Sequence, residues 1–227
     1  AIPVTAKIRL GWNDASRNYL EQARAIVEGG ADALTVHGRT RNARYRTQAD
    51  WDAIGEIAAS VAIPVIGNGD VLFGHRAEAL RARSGCAAVM TARAALIRPW
   101  IFREHTSGYS DLSAEERIAI YRRYVMLAKA HWGEDDYGLA RVRMFTRWHL
   151  DFWCREVPQR PDGTFPAMQI REPEGQPRTP MEGVLARTDA AALDYLADCL
   201  IRGMEVDERA VPPPGIAHAD ALIEAEG

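Results

Sequence analysis

The first 108 residues are predicted to form an α/β fold of parallel βα units, and the remainder a small α-helical domain. Three observations carry this. Apolar, strand-like runs end near Arg9, Val36, Ile66 and Met90. Segments long enough to be helices separate them, and strands alternating with helical patterns indicate parallel βα units. Beyond Gly108 the pattern turns helical, opening on the capping-box sequence Ser113-Ala114-Glu115-Glu116.

Residues 2–10 alternate in the manner of a strand and place Thr5, Lys7 and Arg9 on one side. Two charges within a strand need a partner. Asn13 to Ser16 offers caps for a helix running to about Glu28, which Gly29-Gly30 ends. Ala31 to Val36 reads as the second strand. Asp50-Trp51 opens a helix to about Val61, Ile63 to Ile66 is the third strand, and Gly74 to Arg83 a further helix. Ala87 to Met90 is the fourth strand, and Pro99 suits the first turn of a short helix.

In the remainder, helices are expected from Ser113 to about Trp132, from Tyr137 to Arg155, and from Asp189 to Arg202 with Thr188 or Asp189 as cap. Residues 157–183 hold Pro158, Pro161, Pro166, Pro173, Pro177 and Pro180, which suits a long irregular connection. The domains are therefore 1–108 and 109–205, followed by a disordered tail, 206–227, containing Pro212-Pro213-Pro214-Gly215.

Four βα units amount to half of an eight-fold (β/α)8 TIM barrel, whose usual length is about 250 residues. The chain opens on Ala1, directly inside a strand, so an N-terminally truncated polypeptide is expected. An open parallel sheet leaves unpaired edges. Self-association, aggregation or closure with a second copy is the expected consequence.

With 227 residues and 47% hydrophobic side chains, the chain can bury a sizeable core. No run approaches the roughly 18 uninterrupted apolar residues of a membrane helix, and no charged leader precedes an apolar core. A cytoplasmic protein without a membrane partner is expected. Cys86, Cys154 and Cys199 are few, distant and odd in number, which argues against a disulfide framework. The six histidines lack metal-ligand spacing, so no metal is expected.

The net charge of −3 hides an asymmetry. Residues 1–105 carry 14 basic against 10 acidic side chains, residues 113–160 carry 9 against 7, and residues 161–227 carry 5 against 13. The first 160 residues are mildly basic, compatible with RNA and equally with a solvated mixed-charge face. Only Lys7 and Lys129 are lysines. The arginines that remain supply planar phosphate contacts.

Candidate chemistry lies just after the strands, where a barrel gathers its functional side chains. Lys7 emerges from the first strand, although a strand lysine at a solvated edge has the same spacing. His37 ends the second and is followed by Gly38, Arg39 and Arg41; an isolated histidine is more commonly a hydrogen-bonded core residue. Gly67-Asn68-Gly69-Asp70 follows the third strand. Asn-Gly is an ordinary turn sequence, yet after a barrel strand such a loop lets backbone amides approach a phosphate. Ala92-Arg93 follows the fourth, where a guanidinium can clamp phosphate. Arg143 and Arg147 stand four apart near Trp148, His149 and Trp153, which suits either a phosphate grip with a stacked base or a packed aromatic seam with an arginine rim.

Six segments occur in a telling order across residues 1–105: Lys7-Ile8-Arg9-Leu10-Gly11-Trp12, Thr35 to Arg41, Ala49-Asp50-Trp51, Ile63 to Asp70, Gly85-Cys86, and Pro99-Trp100-Ile101-Phe102. Their wording closely resembles the tRNA-dihydrouridine synthase family of flavoenzymes. The resemblance implies barrel strands five to eight, FMN as cofactor, NADPH as reductant, and tRNA as the partner whose uridine C5–C6 double bond is saturated. It implies that Lys7 contacts the flavin near its N1–C2 edge, where a cation stabilises the reduced, anionic ring. It further implies cofactor contacts for His37, Asn68, Gly69, Asp70, Ala92 and Arg93.

Arg39 and Arg41 would lie toward the substrate, and Arg143 and Arg147 in a tRNA-binding helical domain. Ala92 stands where the family usually has glycine, tolerable if its φ is ordinary and not if φ is positive. The family's proton-donating cysteine sits in Asn-x-Gly-Cys-Pro-like text that is absent here. No catalytic residue is therefore assigned, and the chain is expected to be inactive alone. The alternatives are an FMN oxidoreductase of a small pyrimidine-like substrate, or a non-catalytic RNA-binding remnant.

Overall fold

The computed structural model describes residues 2–44, 46–160, 162, 164 and 177–214. The chain divides into two units, residues 1–110 and 111–227. In the first, strands β1 (Thr5–Arg9), β2 (Ala33–His37), β3 (Val65–Asn68) and β4 (Ala88–Met90) form one parallel sheet in the order β1-β2-β3-β4. Helices α1 (Tyr19–Glu28), α2 (Trp51–Ser60) and α3 (Ala77–Ser84) make the crossovers, and α4 (Arg93–Ile97) and α5 (Ile101–Ser107) follow β4. Among the described residues nothing pairs with the outer edge of β1 or of β4.

Alternation along the strands sorts the side chains between two faces. Leu34, Val36 and Val65 face one way and form a buried core with Ala23, Trp51, Ile54 and Ile57. Complete burial of such aliphatic side chains contributes about 1.5–3 kcal/mol each. The other face carries Lys7, Arg9, Thr35, His37 and Asn68.

Three expected boundaries move. The first helix begins at Tyr19, because Asn13 to Ser16 closes a 3-10 turn instead: Ser16 Oγ accepts from Asn13 N–H at 3.2 Å and donates to Asn13 Oδ1 at 2.9 Å. The expected helix from Gly74 divides into a 3-10 turn, Gly74–Arg76, and α3. Pro99 lies between α4 and α5 and not inside a first turn. Its ring disfavours helical backbone at the residue before it, and Arg98 accordingly leaves the helical region with φ −128° and ψ 80°.

The second unit contains α6 (Ala114–Trp132), α7 (Asp136–Trp153), α8 (Pro180–Leu185) and α9 (Ala190–Arg202). Ser113 and Glu116 form the reciprocal cap of α6, and Asp135 and Asp189 cap α7 and α9. Tyr121, Val125, Val142, Leu150, Trp153, Leu193 and Leu196 share its core. Tyr121 and Trp153 stack with centroids 4.0 Å apart.

The irregular connection expected to run to residue 183 gives way earlier to α8. There Thr179 accepts from Glu182 N–H and Pro180 occupies the first turn, a placement that leaves no helical hydrogen bond unmade. Residues 161, 163 and 165–176 lie outside the described residues. The expected tail is also revised: Val206 and Val211 pack on the core, and Arg187 Nη1 donates to Pro212 O at 2.7 Å. Only 215–227 of that segment lie outside the described residues.

Candidate functional site

Register places the candidate residues. Arg9 pairs with His37, His37 with Asn68, and Asn68 with Met90. One row of side chains thus crosses the C-terminal end of the sheet, and Lys7 and Thr35 stand in the row below it. A cleft of about 210 Å³ opens over these residues, lined by Lys7, Arg9, His37, Arg39, Asn68 and Gly69 among others. Asp70, Ala92 and Arg93 also line it, so all seven expected cofactor positions meet at one place. The volume lies below the ~300–1,000 Å³ of ordinary ligand pockets. Four strands wall it on one side.

Arg9, Met90 and Leu72 line the cleft as well and were not among the sequence candidates. The signal for Arg9 was present, since it stands two residues from Lys7 on the same strand face. A groove of about 480 Å³ along β4 and α5 is larger and mainly apolar, lined by Val71, Val89, Ile101 and Phe102 among others. It carries little of the converging charge found in the smaller cleft.

The loop after β3 is held rigidly. Gly69 has φ +128°, and a Cβ there would lie 2.5 Å from Ala49 Cβ. Its carbonyl accepts from Trp51 Nε1 at 3.0 Å. Asn68 Nδ2 donates to Met90 O at 2.9 Å, which ties β3 to β4 at the cleft. Asp70, also left-handed at φ +54°, accepts from Arg39 and from Ala49 N–H at 2.7 Å. Ala92 has φ −129°, so it does not need the positive φ that would demand glycine, but its ψ of −99° lies outside the broad β and α regions.

His37 is buried, and desolvation pushes its imidazole down to about 4, reinforced by Arg9, Lys7 and Arg39 and opposed by Asp70. The ring is therefore neutral at pH 7. Arg39 Nη1 lies 3.5 Å from its Nε2. A guanidinium only donates, so this contact favours the tautomer with the proton on Nδ1. Lys7 is also held below its ordinary range, by burial and then by Arg9. Its side-chain amine makes no hydrogen bond or ion pair among the described residues.

The expected substrate contacts separate. Arg39 is 2% exposed and turned inward, its Nε donating to Thr47 O at 2.7 Å. Arg41 is exposed and lies over the Trp12 ring, 4.3 Å from its centroid. In the second unit Arg143 pairs with Asp198 and Asp194, and Arg147 with Asp194 at 3.3 Å. These carboxylates of α9 compete with any phosphate.

The model of the dihydrouridine synthase family matches residues 1–158. The chain belongs to the dihydrouridine synthase family. It is 35% identical over 209 residues to a tRNA-dihydrouridine(47) synthase of Kluyveromyces lactis, covering 83% of this chain and 31% of that protein. A Candida albicans protein of the same name is also 35% identical, covering 83% and 34%. A tRNA-dihydrouridine synthase B of Salmonella typhimurium is 37% identical over 166 residues, covering 72% and 51%. The chain thus spans about a third to a half of the length of these relatives. Among its described residues no helix is long and apolar enough to cross a membrane, and no group of three metal-ligating side chains occurs.

Proposed function

We propose that this chain supplies the flavin side of an FMN-dependent tRNA-dihydrouridine synthase, which saturates the C5–C6 bond of a tRNA uridine with NADPH as reductant. The observation that carries the reading is the convergence of Lys7, Arg9, His37, Asn68, Gly69 and Arg93 on one cleft at the strand ends. The lining fits an anionic aromatic nucleotide. Among the described residues Lys7 and Arg9 have no carboxylate partner, His37 is an uncharged donor, and Arg93 suits a phosphate. The one carboxylate of the lining, Asp70, is already engaged by Arg39.

When bound, the flavin supplies the hydride for uridine C6. Lys7 and Arg9 hold positive charge beside the cofactor, where it offsets the negative charge of the reduced form. Neutral His37 would help to hold the ring without adding a further positive charge. The nicotinamide named in the fungal relatives, NAD(P)(+), supports the choice of reductant.

Among the described residues no cysteine that could give uridine C5 its proton lines this cleft. Cys86 is buried in the core behind the sheet, donating to Ala88 O at 3.1 Å, and Cys154 and Cys199 are buried in the other unit. The 227-residue polypeptide alone is accordingly expected to form no dihydrouridine. Titrating it with FMN tests the reading: quenching of flavin fluorescence at micromolar protein, weakened by Lys7→Ala and by Arg93→Ala, is expected. RNA retention without any flavin binding would instead leave a non-catalytic RNA-binding protein.

A further inference from the structure

Next to the flavin cleft lies a second surface that the proposed reduction does not use. A cleft of about 650 Å³ is lined by Lys7, Arg9, Trp12 and Arg41 among others, and none of its lining residues is acidic. It shares Lys7 and Arg9 with the flavin cleft, so the two are neighbours. Trp12 is 56% exposed, an unusual state for an indole on a soluble surface. Arg41 lies over its ring. Downstream, Arg44 and Arg46 are also exposed, and no acidic residue occurs between Arg39 and Asp50.

The platform is built into the backbone. Beyond the ends of β1 and β2 the two loops zip together through Leu10 N–H to Arg39 O at 3.1 Å, Arg41 N–H to Gly11 O at 2.9 Å and Asn42 N–H to Trp12 O at 2.9 Å. Arg9 Nη1 adds a bond to Thr40 O at 3.1 Å. Gly11 lets the first loop fold back on itself, with φ +139° and the position of a Cβ only 2.3 Å from Ser16 O. Trp12 and Arg41 are thus presented on a braced loop pair, and little ordering is needed when something docks there.

We propose that Trp12, with Arg41 over its ring and Arg44 and Arg46 exposed further along the Arg41 loop, is a stacking platform for a single-stranded RNA base next to the uridine that enters the flavin cleft. This rests on the function proposed above and adds the site that holds the flanking nucleotide. An exposed indole offers a π-face to any base. Surrounding guanidiniums meet the phosphates on either side, so the grip is tolerant of sequence and sensitive to salt.

The test measures binding of a fluorescein-labelled tRNA transcript to the 227-residue chain by anisotropy at several salt concentrations, with FMN titrated separately. Trp12→Ala is expected to weaken RNA binding about tenfold, as loss of one stacked base does, while Trp12→Phe retains most of the affinity. Arg41→Ala is expected to lower the salt slope by about 0.7, the value for one phosphate contact on a single strand. FMN affinity stays unchanged in the Trp12 variants, and a thermal melt confirms that they fold. Unaltered RNA affinity in Trp12→Ala, or no RNA binding by the parent chain, overturns the proposal. Loss of flavin binding in the parent chain while the Trp12 dependence persists would overturn the flavin reading and leave the platform standing.

Discussion

Nη2 of Arg39 lies 2.6 Å from both carboxylate oxygens of Asp70, and the Arg39 side chain is only 1% exposed. The pair joins the loop after β2 to the loop after β3. It turns a guanidinium that the sequence offers to a substrate into an internal brace beside His37.

Asp70→Asn keeps a residue that tolerates the left-handed backbone and removes the charge facing Arg39. Hydrogen bonds to charged groups are worth about 1.5–3 kcal/mol each, so the α/β unit should lose about 2–3 kcal/mol in urea unfolding. Arg39→Lys should lose a similar amount, because an ammonium cannot reach Asp70 and Thr47 O together. A loss within experimental error in both variants would show that the brace is dispensable.

Gly69→Ala places a methyl against Ala49 and 3.3 Å from His37 Cδ2 on a backbone that alanine avoids. The backbone alone costs about 1–3 kcal/mol, and flavin binding should fall with it. Gly30→Ala is the control: φ is +83° but a Cβ there would meet nothing within 4 Å. It should destabilise modestly and leave flavin affinity intact; equal flavin losses in the two variants would contradict the role of the Gly69 contact.

His37 should titrate near 4 in the folded chain, visible in imidazole nitrogen shifts. The unfolded state takes up its proton from about pH 6.5 downward. The stability that the neutral ring contributes is therefore complete above pH 6.5 and lost as pH falls toward 4. Lys7→Ala and Arg9→Ala should each raise the value by removing a repelling cation. An imidazole titrating at 6.5 in the parent chain would rule out the buried, cation-flanked site.

Two arginine pairs of different burial should behave differently. Arg98 and Glu104 are wholly buried, and Glu104 also accepts from Ser110 N–H at 3.0 Å. Glu104→Ala strands a charge and should cost about 3–5 kcal/mol. The Arg143–Asp198 pair is 46% and 37% exposed, and Asp198→Ala should cost about 0–1 kcal/mol. With Asp194 also replaced by Asn, freed Arg143 and Arg147 should tighten RNA binding; unchanged affinity would remove these arginines from the RNA surface.

Much of the site was legible because strands repeat every two residues. That period alone places Thr5, Lys7 and Arg9 on one face, and the ends of the apolar runs fall close to the observed ends of β1, β2 and β4. Capping was legible as well: Ser113 with Glu116, Asp50 and Asp189 all accept the amides that their positions suggested. The short α4 was not, since five residues immediately after a strand carry no period of their own. The start of α8 at Pro180 was hidden within a proline-rich stretch, although Thr179-Pro180 is itself a helix-opening pair.

By itself the amino-acid order determined the alternation of strands and helices, the face on which Lys7 and His37 stand, and the loops that follow them, because these depend on local backbone periods. Only the tertiary structure decided that Arg39 turns inward to Asp70 while Arg41, two residues on, stacks outside on Trp12, and that Arg143 and Arg147 meet the carboxylates of α9. The reason is physical: an arginine's partner is chosen by which distant loops are brought within a few ångströms. No local pattern encodes that.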